Sequence, residues 1–202
     1  MPKSAWPTGT ELTNAVTGVG GSIPSGYTAA DIIAGVIQEW EEATGWEPFL
    51  ADASATTRQF DPTFGYTLRL PGYYTVTGVT VDGVAKTVNV DYWLHPQNHT
   101  AKKVPITSLR FHDPLTGEPA SIAVTGRLGY DHEIKEDAWL AVLNKAVARC
   151  LELAAGPYGS VSEIEQGLVK VKYGQEAGRS TIDRFKAEFE KAARRYRRAE
   201  FF

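Results

Sequence analysis

The sequence predicts an α+β fold with a small helical core of three main helices, an inserted antiparallel β-sheet and a long C-terminal helix. Apolar residues recur at helical spacing in residues 28–45 and 135–155, and again near the end of the chain. Between Thr56 and Gly126 the period changes to two, which is typical of half-buried strands. The 202 residues are enough for one domain with a substantial insertion.

The composition excludes several classes of protein. Hydrophobic residues make up 43% of the chain, which is typical of a globular protein and argues against disorder of the whole chain. The longest uninterrupted apolar run, Trp139–Leu143, is far shorter than the ~18 residues of a membrane-spanning helix. The opening Met1-Pro2-Lys3-Ser4 leads into no apolar stretch, so we expect no secretory signal. The single cysteine, Cys150, allows no internal disulfide, and we expect a soluble protein made in a reducing cytoplasm.

Charge is distributed unevenly along the chain. Residues 1–178 carry 13 basic and 20 acidic residues, whereas residues 179–202 carry eight basic and four acidic residues, for a net charge of −3. A basic segment on an acidic body indicates an anionic partner for that segment. The alternative is a solvated helix end, where Arg side chains interact favourably with the negative pole of the helix.

The first part of the chain consists of a predicted arm and a predicted helix. Residues 1–27 are rich in Gly, Thr, Ser and Pro without a sustained period, which predicts an N-terminal arm or loop and no packed element. Thr28 can cap a helix whose apolar residues fall at helical spacing, and Gly45 is well placed to end it. This helix opens the predicted α+β domain, residues 28–178.

The β-rich insertion is predicted at about residues 56–126. Strands are expected over Thr56–Phe60, Tyr66–Leu70, Val76–Val81, Val84–Val90, Tyr92–Leu94, Ser108–Phe111 and Ser121–Thr125. Asp82-Gly83 lies between two β-branched runs and predicts a two-residue hairpin turn, because both positions of such a turn need positive φ.

Two further helices and a short strand follow the insertion. The second helix is predicted from about Lys135 to Ala155, apolar around most of its circumference, and is expected to end at Gly156-Pro157. Alternation predicts a strand over Gly167–Tyr173. The basic C-terminal helix and tail, residues 179–202, are predicted to be helical from near Ser180 towards Ala199.

The last helix carries a narrow apolar seam with a 3-4-3-4 spacing, typical of helices that pack along one face. The spacing leaves two alternatives open: the seam packs on the core of its own domain, or it packs on another subunit. The residues predicted as candidates for an oligomer interface are Ile182, Phe185, Phe189 and Tyr196.

No pattern of catalytic, cofactor-binding or metal-ligating residues stands out, so we expect a protein that is not an enzyme and needs no cofactor or metal. His95 and His99 are four residues apart, but Pro96 argues against a helix that would bring them together. Cys150 lies among apolar neighbours, where a thiol is inert. Acidic residues between Asp131 and Asp137 allow a carboxylate-based hydrolase as an alternative, although acidic residues at a helix start are expected from the helix dipole.

Several stretches resemble the head–tail connector (adaptor, or head-completion) proteins of tailed bacteriophages. The likeness covers roughly residues 28–175 and rests on turns, aromatic positions and strand order. It is carried by Ile33–Trp46, Arg58–Phe60, Leu68–Pro71, Val76–Val79, Asp82-Gly83, Tyr92–Leu94, Pro105-Ile106, Ile122–Gly126, Gly129-Tyr130, Ile164–Gly167 and Val169–Val171.

The resemblance implies a structural virion protein at the head–tail interface, made in the host bacterial cytoplasm. It implies a homo-oligomeric ring, commonly of twelve subunits, that binds the portal protein and the next neck or tail protein. DNA would pass through the channel of the ring without sequence-specific binding, and no membrane is involved. The alternative is a nucleic-acid-binding module that uses the basic C-terminal tail, against which stands the acidic body.

The same resemblance places portal docking in the C-terminal segment. Four arginines there lie within five residues and repel one another, and an aromatic pair follows them. An acidic, apolar-lined cleft on the portal would satisfy both features. The residues predicted to dock are Arg194, Arg195, Arg197, Arg198, Phe201 and Phe202.

Overall fold

A computed structural model describes residues 2–155, 163–166, 169–172 and 175–198, with side chains up to Ala154 and from Thr181 onwards. The fold is α+β, with a six-stranded antiparallel sheet and a long C-terminal helix, as the sequence predicts. The chain divides into a helical unit, Met1–Gly45 with Lys135–Phe202, and a sheet unit, Trp46–Ile134. The sheet unit is therefore an insertion between two parts of the helical unit.

The helical unit begins with a helix that the sequence analysis did not predict. Helix α1 covers Gly9–Gly18, inside the segment expected to be an unpacked arm. Thr8 and Glu11 form a capping box, in which each side chain satisfies a backbone N–H of the other. The hydrogen bond from the Thr8 N–H lowers the pKa of the Glu11 carboxyl below its usual value. Leu12 and Val16 are fully buried, so two apolar residues one turn apart are enough to anchor this helix.

The other long helices of the unit match their predictions. Helix α2 covers Ala29–Thr44, with the Thr28 side chain as its N-cap and Gly45 in the left-handed conformation at its end. Helix α4 covers Glu136–Ala155 and packs against α1, α2 and the last helix. Its predicted stop at Gly156-Pro157 lies outside the described residues.

The C-terminal helix, α5, covers Gln175–Tyr196 and so begins earlier than the predicted Ser180. Two short strands precede it, β7 (Glu163–Gln166) and β8 (Val169–Lys172), which pair antiparallel. Strand β8 lies within the strand predicted over 167–173, whose end residues are outside the described part of the chain. None of the helices in the described residues is long and apolar enough to cross a membrane.

The sheet unit contains six antiparallel strands in the order β1-β6-β2-β5-β4, with β3 paired to β2. The strands and the short helix α3 cover β1 Thr56–Phe60, β2 Thr67–Val81, β3 Val84–Lys86, β4 Tyr92–His95, α3 His99–Lys102, β5 Ile106–Phe111 and β6 Ile122–Leu128. Alternate residues of these strands form one buried cluster, in which Tyr73, Leu109, Ile122 and Val124 have no exposed surface.

Two strand predictions are corrected by the structure. The predicted strands 66–70 and 76–81 are one strand, β2, which pairs with β5 through its first half and with β6 through its second. Pro71 and Gly72 lie where the pairing partner of β2 changes, and the register with β5 shifts between Arg69 and Tyr73. The predicted strand 84–90 ends at Lys86 as β3. The hairpin prediction is confirmed, because Asp82 and Gly83 have φ of 51° and 76°.

Candidate docking surface at the end of helix α5

The end of α5 is held against the end of α2 by the arginines that follow Tyr196. The Arg198 backbone N–H donates to the Thr44 carbonyl at 2.7 Å, and Arg197 Nε donates to the Ala43 carbonyl at 3.5 Å. These carbonyls belong to the last turn of α2, which carries partial negative charge and contains no basic residue of its own. The segment after Tyr196 therefore satisfies two carbonyls in the last turn of α2, one through a backbone N–H and one through the Arg197 guanidinium.

Asp137 in the first turn of α4 connects that helix to α5. Its Oδ1 accepts a hydrogen bond from the Tyr196 hydroxyl at 2.6 Å, and its Oδ2 accepts one from Arg195 Nη1 at 3.3 Å. The Lys135 ammonium lies 5.5 Å from the centre of the Tyr196 ring. The Asp137 carboxylate is thus occupied in a helix–helix contact, which the sequence alone did not assign to it.

Among the C-terminal arginines, Arg194 and Arg197 make longer side-chain contacts within the structure than Arg195 does. The Arg194 side chain is 76% exposed, and it is 3.8 Å from Glu190 in an ion pair one turn back along α5. Surface ion pairs of this kind contribute at most about 1 kcal/mol, so a better-placed carboxylate on a partner can displace it. Arg197 is also exposed, and the 3.5 Å distance from its Nε to the Ala43 carbonyl is at the long limit of a hydrogen bond. Phe201 and Phe202, the other predicted docking residues, lie outside the described residues.

The apolar seam of α5 packs within the helical unit. Phe185, Phe189 and Tyr196 are between 5% and 9% exposed. The rings of Phe189 and Tyr196 lie 5.5 Å and 5.7 Å from the ring of Trp40 on α2, which has no exposed surface. These three side chains form part of the chain's own core, which was one of the two alternatives. Ile182 is partly exposed, and the contact of the seam with another subunit stays a prediction.

In the described part of the chain, the side chains of two residues considered for metal binding or catalysis, His99 and Asp131, contact near neighbours in the sequence. Asp131 Oδ1 is 2.9 Å from His132 Nδ1, and His99 Nδ1 is 3.2 Å from the Pro96 carbonyl. No group of three or more His, Cys, Asp or Glu among the described residues could hold a metal ion. Cys150 is buried, and burial raises the pKa of its thiol.

Comparisons with known proteins identify a similar fold. No family model matches the sequence, and no curated protein matches it. The fold is similar to that of a chain in the solved structure described as "Neck of native GTA particle computed with C12 symmetry". The two chains are 14% identical with a TM-score of 0.50, and the match covers 100% of this chain and 97% of the other. The likeness extends over both units and establishes the fold of the whole chain.

Proposed function

We propose that this chain is a structural subunit of the neck of a virus-like particle, where it forms an adaptor ring between the portal and the tail. The observation that carries the proposal is the full-length match to a chain from a particle neck. The motifs that resemble head–tail connectors lie in residues 28–175, within the span of that match. The ring would consist of copies of this chain and would extend the DNA channel.

The surface at the end of α5 supports a more specific proposal, namely that this chain docks on the portal through its C-terminal segment. Arg195 and Arg198 hold the end of α5 in place through Asp137 and the Thr44 carbonyl. Arg194 and Arg197 then present their guanidinium groups from a fixed position, so a partner binds them without the cost of ordering the helix end. A carboxylate-bearing cleft on the portal is the complementary partner.

The test replaces only Arg194 and Arg197 and keeps Arg195 and Arg198, which hold the end of α5. We expect Arg194→Glu with Arg197→Glu to leave the protein folded and to prevent its attachment to DNA-filled heads that carry the portal. Arg184→Glu is the matched control, because Arg184 is also on α5, is 64% exposed and forms a similar ion pair with Glu188. Attachment is measured by co-sedimentation of purified protein with heads, and unchanged attachment of the double variant would contradict portal docking.

The same two proteins, unsubstituted and double variant, also distinguish the neck role from the alternative function in nucleic-acid binding. A nucleic-acid-binding module would bind random duplex DNA with an affinity that falls steeply with salt, because phosphate contacts release counterions. The double variant would lose that binding too. Strong salt-dependent DNA binding without attachment to heads would favour the alternative over the neck.

A further inference from the structure

One face of the sheet unit, across strands β2, β5 and β4, carries cationic and aromatic side chains. The strand registers place Leu68, Leu109 and Leu94 in one row, which packs in the buried cluster of the unit. Residues one position away on each strand point to the opposite side of the sheet. Two rows therefore form the outer face, which consists of Thr67, Arg110 and Trp93 in one row and Arg69, Ser108 and His95 in the other.

A cleft of about 460 Å³ opens beside this face. Its volume lies in the range of about 300–1,000 Å³ that is typical of ligand sites. Tyr66, which lines it, is 55% exposed. Phe64, two residues earlier, is 79% exposed and has φ of 50°, a conformation that costs a bulky residue free energy. The residues that line the cleft include Tyr66, Trp93, His95, Gln97, Arg110 and His112.

The two arginines of the face are not neutralised by the chain. Arg69 and Arg110 are exposed, and neither forms an ion pair with a described residue. Residues 62–81 and 92–112, which contain the three strands, carry four basic residues and no acidic residue. The face therefore presents positive charge that a partner can neutralise.

The two imidazoles that line the cleft differ in their partners. His112 Nδ1 is 3.0 Å from the exposed carboxylate of Asp113. His95 Nε2 is buried and has no hydrogen-bond partner among the described residues, which is uncommon for a polar atom. The cleft thus contains one polar group that the described chain leaves unsatisfied.

The charge of the whole sheet unit distinguishes an acidic protein segment from a nucleic acid as the occupant. Nucleic-acid-binding domains are basic over an extended surface. Residues 46–134 carry seven basic and nine acidic residues, so the unpaired positive charge is local. Tryptophan, tyrosine and arginine, all present here, are the side chains that contribute most at protein interfaces. A short acidic segment of a protein is therefore the better fit.

We propose that this face binds an acidic segment of a second protein. The Arg69 and Arg110 guanidinium groups bind its carboxylates, and an apolar side chain of the segment packs against Trp93 in the cleft. The second protein is the next neck or tail protein, an identification that rests on the proposed function. The arginines proposed to dock on the portal belong to the helical unit, so each neighbour of the ring has a surface of its own.

Fluorescence anisotropy of a labelled peptide tests the chemistry of the face. The probe is a short peptide with one phenylalanine among glutamates, and the matched peptide has glutamine at every glutamate position. We expect the protein to bind the glutamate peptide at least about tenfold more tightly than the glutamine peptide, with an affinity that falls as salt is added.

Arg69→Gln with Arg110→Gln is expected to remove this difference between the peptides. Arg58→Gln is the matched control and is expected to retain it, because Arg58 is a half-exposed arginine of the same sheet that pairs with Asp52 at 4.0 Å. Equal or absent binding of the two peptides by the unsubstituted protein would overturn the proposal. Tighter binding of an oligothymidylate of the same length would overturn it in favour of a nucleic acid.

Assembly of particles separates this proposal from the neck proposal. Heads that carry the portal are incubated with the Arg69→Gln, Arg110→Gln variant and then with tails, and tailed particles are counted by electron microscopy. We expect the variant to attach to heads as the unsubstituted protein does, and to leave them without tails. Tails that join normally would overturn the assignment of the partner and leave the neck proposal standing. An unsubstituted protein that never attaches to heads would overturn the neck proposal, while the peptide measurement still decides the chemistry of the face.

Discussion

Asp137 shows how one carboxylate acquires its role from residues distant in sequence. At the start of a helix an acidic residue is favoured by the helix dipole whatever else it does. In the structure its two oxygens accept hydrogen bonds from Tyr196 and Arg195, nearly sixty residues later. A buried hydroxyl bound to a charged acceptor contributes more than a neutral pair, since the hydrogen bond is charge-assisted. Asp137 is therefore expected to stabilise the packing of α4 on α5.

Removal of the Tyr196 hydroxyl tests that contribution. We expect Tyr196→Phe to lower the free energy of unfolding by about 1.5–3 kcal/mol, because the ring stays packed while the Asp137 carboxylate loses a donor. The measurement is the midpoint of urea unfolding. Tyr27→Phe is the control, since Tyr27 is 51% exposed in the same unit. Equal midpoints for the two variants would show that the hydrogen bond contributes nothing.

Strands β2 and β6 each contain a glycine, and the two glycines differ in the space around them. A Cβ at Gly126 on β6 would lie 2.1 Å from the Thr75 carbonyl oxygen of β2, so the backbones approach more closely than any side chain allows. The register of this pair also shifts near Thr75. At Gly78 on β2 the nearest atom would be 3.8 Å away, on Thr125. Only the first glycine is required by the packing of the sheet.

The two glycines make a matched pair of variants. We expect Gly126→Ala to destabilise the protein by about 3 kcal/mol or more, because the clash is with backbone that cannot rotate away. Gly78→Ala is expected to change stability by no more than about 0.5 kcal/mol, since its Cβ makes ordinary contact. Thermal unfolding followed by circular dichroism measures both, and similar melting temperatures for the two variants would contradict the close approach.

At the scale of the whole molecule, the chain consists of two units, one inserted into the other. Its sheet unit is inserted between Gly45 and Lys135, and the helical unit is built from both flanking parts. Strong shifts in the pKa of acids or bases clustered around a deep cleft are typical of active sites. Among the described residues, burial is the largest cause of the pKa shift for four groups, whose pKa values it raises: the hydroxyls of Tyr73, Tyr92 and Tyr130 and the Cys150 thiol. Those groups are accounted for by packing.

A purely structural role predicts that the acidic residues near His132 are dispensable. Under the proposed function, Asp131→Asn with Glu133→Gln is expected to leave infectivity or transfer by the particles largely unchanged. The asparagine can still accept the hydrogen bond that the His132 backbone N–H donates to Asp131. The titre of assembled particles is the measurement. Normal assembly with complete loss of titre would point to a hydrolase built on these carboxylates.

The sequence by itself determined the type and order of most elements. Local signals do this: the Thr28 cap and the Gly45 stop define α2, and Asp82-Gly83 defines the hairpin, because capping and turn conformations depend on adjacent residues. Helix α1 lacks an extended apolar pattern, because its only buried residues are Leu12 and Val16, and their burial depends on the other helices of the unit.

Tertiary structure decided where those elements meet and which side chains remain available. The apolar seam of α5 allowed packing on its own unit or on another subunit. In the structure, Phe189 and Tyr196 of this seam pack against Trp40 in the core of the helical unit. The four arginines were equivalent in sequence, yet the ends of α2 and α4 engage Arg195, Arg197 and Arg198 and leave the Arg194 guanidinium on α5 itself. The pairing of β2 with both β5 and β6 likewise depends on contacts between distant residues, which no local pattern encodes.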